Sequence, residues 1–93
     1  MAFFLKDPAA SIDYAVDWGA GYLGTQVIVQ SAWSVEPAET DGVVVNATVR
    51  GDRRSGATLG GGVPGHVYRV TNRVTLSDGR IDERGIALRV EQR

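Results

Sequence analysis

The residues able to do chemistry are few and far apart in the sequence. His66 is the one histidine, and the absence of cysteine excludes thiolate catalysis, disulfides and the usual zinc ligand sets. A serine nucleophile paired with His66 would need a marked position such as G-x-S-x-G, and none occurs. We therefore expect His66 to be a solvated or capping residue. We also expect that the chain is not an enzyme and that it has no catalytic residue, metal site or cofactor.

Acidic residues occur in two arrangements that resemble paired-carboxylate or cation sites. Asp13 and Asp17 are four residues apart on a predicted strand, so they share a face but lie too far apart to share a proton. The acids between residues 78 and 83 fit the charged tip of a hairpin. We interpret both groups as solvated side chains.

A glycine motif follows the first predicted strand. Residues 19–24 read G-A-G-Y-L-G, which matches the literal dinucleotide-binding fingerprint. That fingerprint requires a helix whose N-terminal N–H groups bind a pyrophosphate. The next segment, residues 25–35, instead alternates apolar and polar side chains with a period of two. We therefore predict a flexible loop here.

Strand and turn residues alternate along the whole chain, and no stretch has the period and caps of a helix. Residues 12–18 and 25–35 each alternate in polarity, and Trp18 and Trp33 fall on the apolar faces, as does Val29. Short strands at regular spacing, separated by turn residues, predict an all-β fold of about seven strands.

The last third of the chain predicts a β-hairpin. Asp78 and Gly79 suit a two-residue type I′ turn, in which both central residues have positive φ. With that turn, strict pairing would point the apolar residues of the returning strand away from the core. One extra residue in the returning strand would turn these apolar side chains back toward the core, so we predict a β-bulge at Arg84 and Gly85.

Residues 64–68 read Pro-Gly-His-Val-Tyr, which resembles the Pro-Gly-x-x-Tyr corner of fibronectin type III and related immunoglobulin-like domains. The resemblance implies an immunoglobulin-like, fibronectin III-like antiparallel β-sandwich. In such domains the corner tyrosine, here Tyr68, bonds through its hydroxyl to the backbone of the corner. Because the paired cysteines of antibody domains are missing, the likeness is to the cysteine-free branch.

The N-terminus carries an apolar cluster, Phe3, Phe4 and Leu5, ahead of the first strand. This cluster is either a short edge strand that covers the core or an arm that adds a strand to a neighbouring sheet. We therefore divide the chain into residues 1–10, the arm or edge strand, and residues 11–93, the single sandwich domain.

Arginine side chains are predicted to cluster on the outer face of the final hairpin, at Arg69, Arg73 and Arg89. Arginine is enriched at protein interfaces because its guanidinium binds carboxylates bidentately. Charged residues also guard sheets against edge pairing, which is the alternative reading. The three arginines and the apolar N-terminal cluster are the candidate partner contacts.

Charge is unevenly distributed along the chain. Residues 1–49 carry one base and six acids, whereas residues 50–93 carry nine arginines and five acids. Two interpretations of this uneven charge are open. The charged residues lie on solvated strand faces, or identical subunits pack head to tail, with the acidic end of one subunit against the basic end of the next, as in ring assemblies. A pI near 5.7 argues against a nucleic-acid partner, and no apolar run is long enough to span a membrane.

Several motifs together resemble a family of small tailed-phage structural proteins, described as fibre–tail adaptors or tail-accessory proteins and found in prophages and gene transfer agents. The motifs are Lys-Asp-Pro at 6–8, Asp-Tyr-x-Val-Asp-Trp at 13–18, Val-Thr-Asn-Arg-Val-Thr at 70–75, Asp-Gly-Arg at 78–80 and Asp-Glu-Arg at 82–84.

The resemblance implies a non-catalytic virion protein that is present in multiple copies, contacts other tail, neck or major capsid proteins and forms a homo-oligomer on the particle. We expect it to be made in the host cytoplasm, because residues 1–8 lack the features of a signal peptide. An adaptor in the tail or neck is the leading hypothesis. Capsid decoration is the alternative among structural virion proteins. The alternative outside that class is a module that binds host glycans, with Tyr22 of the glycine-rich loop as the contact.

Overall fold

The chain is described by a computed structural model that covers residues 2–19 and 23–92. Its regular elements in these ranges are seven strands. They are β1 (Ala2–Lys6), β2 (Ile12–Asp17), β3 (Ile28–Glu36), β4 (Val43–Arg50), β5 (Arg54–Gly61), β6 (Val67–Leu76) and β7 (Ile81–Val90).

The strands form two sheets, one with the order β1-β7-β6-β3 and the other with the order β2-β5-β4. Strands β2 to β7 thus reproduce the B-E-D and C-F-G groupings of the immunoglobulin fold. The predicted immunoglobulin-like β-sandwich is confirmed. The pairing is not wholly antiparallel, because β1 lies parallel to β7. Parallel neighbours need a long connection, and here the rest of the domain supplies it.

The core follows from the alternation of apolar and polar residues along the strands. On β6 every second residue from Tyr68 to Leu76 is buried, and those between are exposed or half-buried. Trp18 is buried and Trp33 is half-buried, on the inner faces predicted for them. Both indole N–H groups have buried polar acceptors, Asn72 for Trp18 and Ser55 for Trp33.

Tyr68 forms the corner at the start of β6. The backbone N–H of Val63 donates to the Tyr68 hydroxyl at 3.0 Å, and the hydroxyl donates to the Glu39 carboxylate. This is the hydrogen bond that characterises a tyrosine corner. Val70, two residues further on, is fully buried at the position where antibody domains have their second cysteine. Packing therefore replaces the disulfide at this point of the core.

The predicted bulge at Arg84 and Gly85 is wrong, because β6 and β7 pair in one unbroken register from Val67↔Arg89 to Thr75↔Ile81. The predicted type I′ turn is also wrong. The Leu76 N–H donates to the Arg80 carbonyl at 2.8 Å, and the Gly79 N–H donates to the Leu76 carbonyl at 2.9 Å.

These two bonds enclose a three-residue loop, residues 77–79, in which Gly79 alone has positive φ, at 92°. That is a type I turn followed by a residue in the left-handed region. The extra loop residue shifts the register by one position, so the apolar residues of β7 face the core without a bulge.

An irregularity does occur in β3, where the register with β6 shifts between Ile28 and Gln30. Ile28 is buried as a result, whereas Val29 is about half exposed, so the prediction that Val29 faces the core is wrong. A residue inserted into a strand moves its neighbours to the opposite face.

Neither a membrane-spanning helix nor a metal site is found in the described residues. No helix in residues 2–19 and 23–92 is long and apolar enough to cross a membrane. In the same ranges, no three histidine, cysteine or acidic side chains are grouped so that they could hold a metal ion.

Candidate functional site: the outer face of the four-stranded sheet

The outer face of the four-stranded sheet brings together four of the predicted contact residues. The parallel pairing of β1 with β7 aligns Leu5 with Arg89, and Arg89 in turn pairs with Val67. Leu5 and Val67 are 47% and 48% exposed, so this row presents two aliphatic side chains around an arginine. Arg69 and Arg73 lie two and six residues after Val67 on β6. Because alternate residues of a strand point to the same side, both arginines share the face of Val67.

An acidic residue lies beside each arginine of this face. Arg73 Nε is 4.0 Å from Glu83 Oε2, and Arg89 Nε is 2.7 Å from Glu91 Oε1. Arg69 is aligned with Glu36 in the register of β6 and β3. Both ion pairs are about half exposed, and surface pairs of this kind add little to folding. These charges are therefore available for exchange with carboxylates of another protein at little cost in stability.

The side chains in the middle of the face are small. Gly85 pairs with Thr71, and Thr71 pairs with Ser34. A Cβ atom at Gly85 would lie 2.8 Å from the backbone oxygen of Val70. Close approach of β7 to β6, and not a bulge, is thus the reason for glycine at this position.

Strand β1 is anchored to its own domain by Lys6, which is 1% exposed. Its Nζ donates to the carbonyl oxygens of Gly61 at 2.6 Å and Asp7 at 2.9 Å. Burial lowers the pKa of Lys6, and the nearby Asp7 carboxylate partly opposes that effect. Leu5 is consequently presented to solvent from a strand that is fixed in position.

The other two residues of the predicted N-terminal contact are placed differently. Phe4 occupies the alternate position to Leu5, and its ring packs on Tyr14 with the centroids 5.9 Å apart. Tyr14 packs edge-on against Trp33, so Phe4 closes one side of the sandwich while remaining 43% exposed. Phe3 pairs through its backbone with Ala87, and its side chain lies outside the described part of the chain.

Arg84 has a partner that the sequence did not indicate. Its guanidinium lies over the Trp18 ring, 4.3 Å from the ring centroid, and Nη1 is 3.4 Å from the Asp17 carbonyl oxygen. A cation stacked on an indole in this way stabilises the pair. The two residues are far apart in sequence, so no local pattern reveals the contact.

His66 lies at the surface beside the tyrosine corner, as predicted. Its Nδ1 is 2.8 Å from Glu39 Oε1, the oxygen to which the Tyr68 hydroxyl also donates. The hydrogen bond from Tyr68, and then that from His66, lowers the pKa of Glu39. Burial, and then the bond to Glu39, raises the pKa of Tyr68. The cluster joins the β3–β4 turn to the corner.

The outer face of the three-stranded sheet carries a shallow trough of about 270 Å³. Small apolar residues such as Ala15 and Val49 line it together with the polar residues Asp13, Thr48 and Thr58. Tyr22, the predicted glycan contact, falls outside the described residues.

Comparison with known proteins gives a match to a family model. No curated protein matches the chain. A family model described as the podophage GP4 fibre-tail adaptor protein gp77 matches residues 6–89, which include strands β2 to β6, all but the last residue of β7 and nearly all of the face described above. The chain therefore belongs to the podophage GP4 fibre-tail adaptor family.

Proposed function

We propose that this chain is a non-catalytic structural adaptor in the tail or neck of a tailed phage, and that it acts through contacts with other virion proteins. The observation that carries the proposal is the family match over residues 6–89. It spans almost the whole domain, so the adaptor role is attributed to the domain itself. The proposal includes synthesis in the host cytoplasm and incorporation into the virion.

The outer face of the four-stranded sheet is proposed as the main contact surface. It combines exposed aliphatic residues, Leu5 and Val67, with arginines held on a rigid sheet. Interfaces are enriched in arginine, and their centres exclude water best where the surfaces are flat and well packed. On binding, Arg69 and Arg73 would leave the exposed acidic side chains beside them in this chain and would pair with carboxylates of the partner.

The absence of catalysis is supported by how the one histidine is used. The imidazole of His66 is directed at Glu39, which also accepts the Tyr68 hydroxyl, and this cluster closes a structural corner. A general base must instead lie within hydrogen-bond reach of a reacting group. The family's structural role points in the same direction.

Phage assembly with a charge-reversed face tests the proposal. Arg69→Glu and Arg73→Glu together replace two positive charges with negative ones next to Glu36 and Glu83. We expect the isolated variant to fold and particles made with it to lack attached fibres. The matched control is Val49→Glu, which places a glutamate on the opposite face at a position that is 73% exposed. Normal fibre content in the double variant, measured by electron microscopy and mass spectrometry of purified particles, would reject this face as the contact.

A further inference from the structure

The two sheets have four edge strands in the described part of the chain, β1 and β3 in the larger sheet and β2 and β4 in the smaller one. An edge strand exposes backbone N–H and C=O groups that pair readily with a strand of another chain. Proteins usually block such edges with charged side chains, bulges or covering contacts. Three of these four edges are blocked in this way, whereas the edge of β1 is not.

Exposed charges, irregular pairing or a covering side chain protects the edges of β2, β3 and β4. Strand β2 carries two exposed carboxylates, Asp13 and Asp17. Strand β4 has a register irregularity in the middle of its pairing with β5. Strand β3 has one at its start, where the Ile28 carbonyl accepts a hydrogen bond from Arg50 Nη1 at 2.6 Å, and it ends at the exposed Glu36.

Strand β1 has none of these protections in its described residues. It pairs with β7 in one unbroken register over all five of its residues. Its one charged side chain, Lys6, is turned into the domain and is 1% exposed, so the charge does not guard the edge. Phe4 and Leu5, the two exposed side chains described on this strand, are both large and apolar.

The backbone of β1 directs its residues alternately toward β7 and toward the free edge. The Glu91 N–H donates to the Lys6 carbonyl at 2.9 Å, so the backbone groups of Lys6 point at β7. Successive residues of a strand direct their N–H and C=O groups to opposite sides, so those of Leu5 point away from β7. The free edge therefore presents a donor and an acceptor to a strand lying about 4.8 Å away.

We propose that β1 accepts an extended segment of another virion protein, which pairs with the free edge as a fifth strand of the larger sheet. Strand addition of this kind takes its affinity from main-chain hydrogen bonds and its specificity from alternate side chains. This pairing presupposes the adaptor role proposed above, because an adaptor must bind a protein other than itself. A second copy of the chain offers blocked edges at β2, β3 and β4, so the segment is assigned to a different protein.

Side chains on the two sides of β1 define the segment that fits. On the inner side, Phe4 packs on Tyr14 yet remains 43% exposed, so an apolar residue of the segment belongs beside it. On the outer side, Leu5 is 47% exposed and is aligned with Arg89, which suits an apolar or acidic residue. A segment with this alternation that covers β1 is about 17 Å long.

Amide hydrogen exchange tests the pairing on the wild-type chain. In the isolated domain the Leu5 amide should exchange quickly because it faces solvent, whereas the Lys6 amide, which faces β7, should be protected. In purified particles we expect exchange at Leu5 to slow by about tenfold or more. Equal exchange at Leu5 in both samples, with the domain present at the tail or neck, would overturn the pairing and leave the adaptor role intact. Absence of the domain from the tail and neck would overturn both.

A proline at position 5 tests the hydrogen bonds themselves. Leu5→Pro removes an N–H that points away from β7, and proline is tolerated in edge strands at such positions. Leu5→Ala is the matched control, because it removes the same side chain and keeps the N–H. We expect both variants to fold, and Leu5→Pro to be incorporated into particles about tenfold less than Leu5→Ala.

Two results with these variants would overturn the proposal. Equal incorporation of Leu5→Pro and Leu5→Ala would show that the N–H of this edge is not used. Since the chain has no cysteine of its own, Leu5→Cys supplies a single thiol at the edge. Disulfide-linked dimers of this variant in oxidised particles would assign the edge to a second copy and not to a different virion protein.

Discussion

Asn72 provides the sharpest test of what holds the two sheets together. It is fully buried on β6, and its Oδ1 accepts the indole N–H of Trp18 at 3.1 Å. Its Nδ2 donates to Ser31 Oγ at 2.8 Å and to Ser55 Oγ at 3.2 Å. Ser55 belongs to β5 of the other sheet, so one amide links both layers. No buried side-chain nitrogen or oxygen in the described residues lacks a hydrogen-bond partner.

Asn72→Ala removes this acceptor from Trp18 and this donor from two serines, and it leaves a small cavity. A buried polar group that loses its partner costs about 1–3 kcal/mol, and the cavity adds to that. We expect the free energy of unfolding to fall by about 2–4 kcal/mol. For a domain of this size each kcal/mol lowers Tm by about 4–8 °C, so a drop of about 8 °C or more is expected.

Urea unfolding followed by tryptophan fluorescence and far-UV circular dichroism measures the change. Both tryptophans, Trp18 and Trp33, report on the site itself. Arg73→Ala, at the next position on the exposed face, is the control and should shift stability by no more than about 0.5 kcal/mol. If Asn72→Ala were as stable as this control, the buried amide would not be what joins the sheets.

Three further predictions concern the corner, the final hairpin and pH. Tyr68→Phe should lower the free energy of unfolding by about 1–2 kcal/mol, measured in urea, because it removes a hydroxyl that both accepts and donates a hydrogen bond. Gly85→Ala should lower Tm because its Cβ would meet a carbonyl oxygen at 2.8 Å, whereas Gly51→Ala, which meets nothing, should not. Because the folded-state pKa of Glu39 lies below its ordinary value, its contribution is present above about pH 4.3 and is lost as pH falls through the folded pKa. Wild-type protein should therefore lose more stability than Glu39→Gln between pH 5 and pH 3 in urea titrations; equal losses would contradict this assignment.

The alternation of side chains explains how much of the fold could be predicted from the sequence. Trp18 and every second residue from Tyr68 to Leu76 face the core as their spacing indicates, and the Pro-Gly-x-x-Tyr segment forms a tyrosine corner. These features depend on local periodicity and on a short motif, so they are visible without coordinates.

The errors in the hairpin and in β3 have a common origin. Asp78 and Gly79 fit a two-residue type I′ turn and also a three-residue loop, because both need Gly79 at positive φ. The apolar residues of β7 could face the core only if the hairpin contained one more residue than a two-residue turn allows. Their pattern did not show whether that extra residue lies in the loop or in the strand. In β3, Ile28 and Val29 are both β-branched and apolar, so the sequence offered no reason to choose which one is buried.

The candidate site was predictable only in part. Arg69 and Arg73 share a face with Val67 because they are two and six residues from it on one strand. Leu5 joins them only through the parallel pairing of β1 with β7, which connects the two ends of the chain. Nothing near Leu5 in the sequence indicates that partner strand.

An asymmetric reconstruction of the intact particle tests the adaptor role and the contact surface together. We expect a small number of copies of this domain at the tail or neck, with the face that carries Arg69 and Arg73 against another virion protein. Many copies spread over the capsid shell would contradict the adaptor role and favour capsid decoration. Copies at the tail with that face open to solvent would contradict the contact surface.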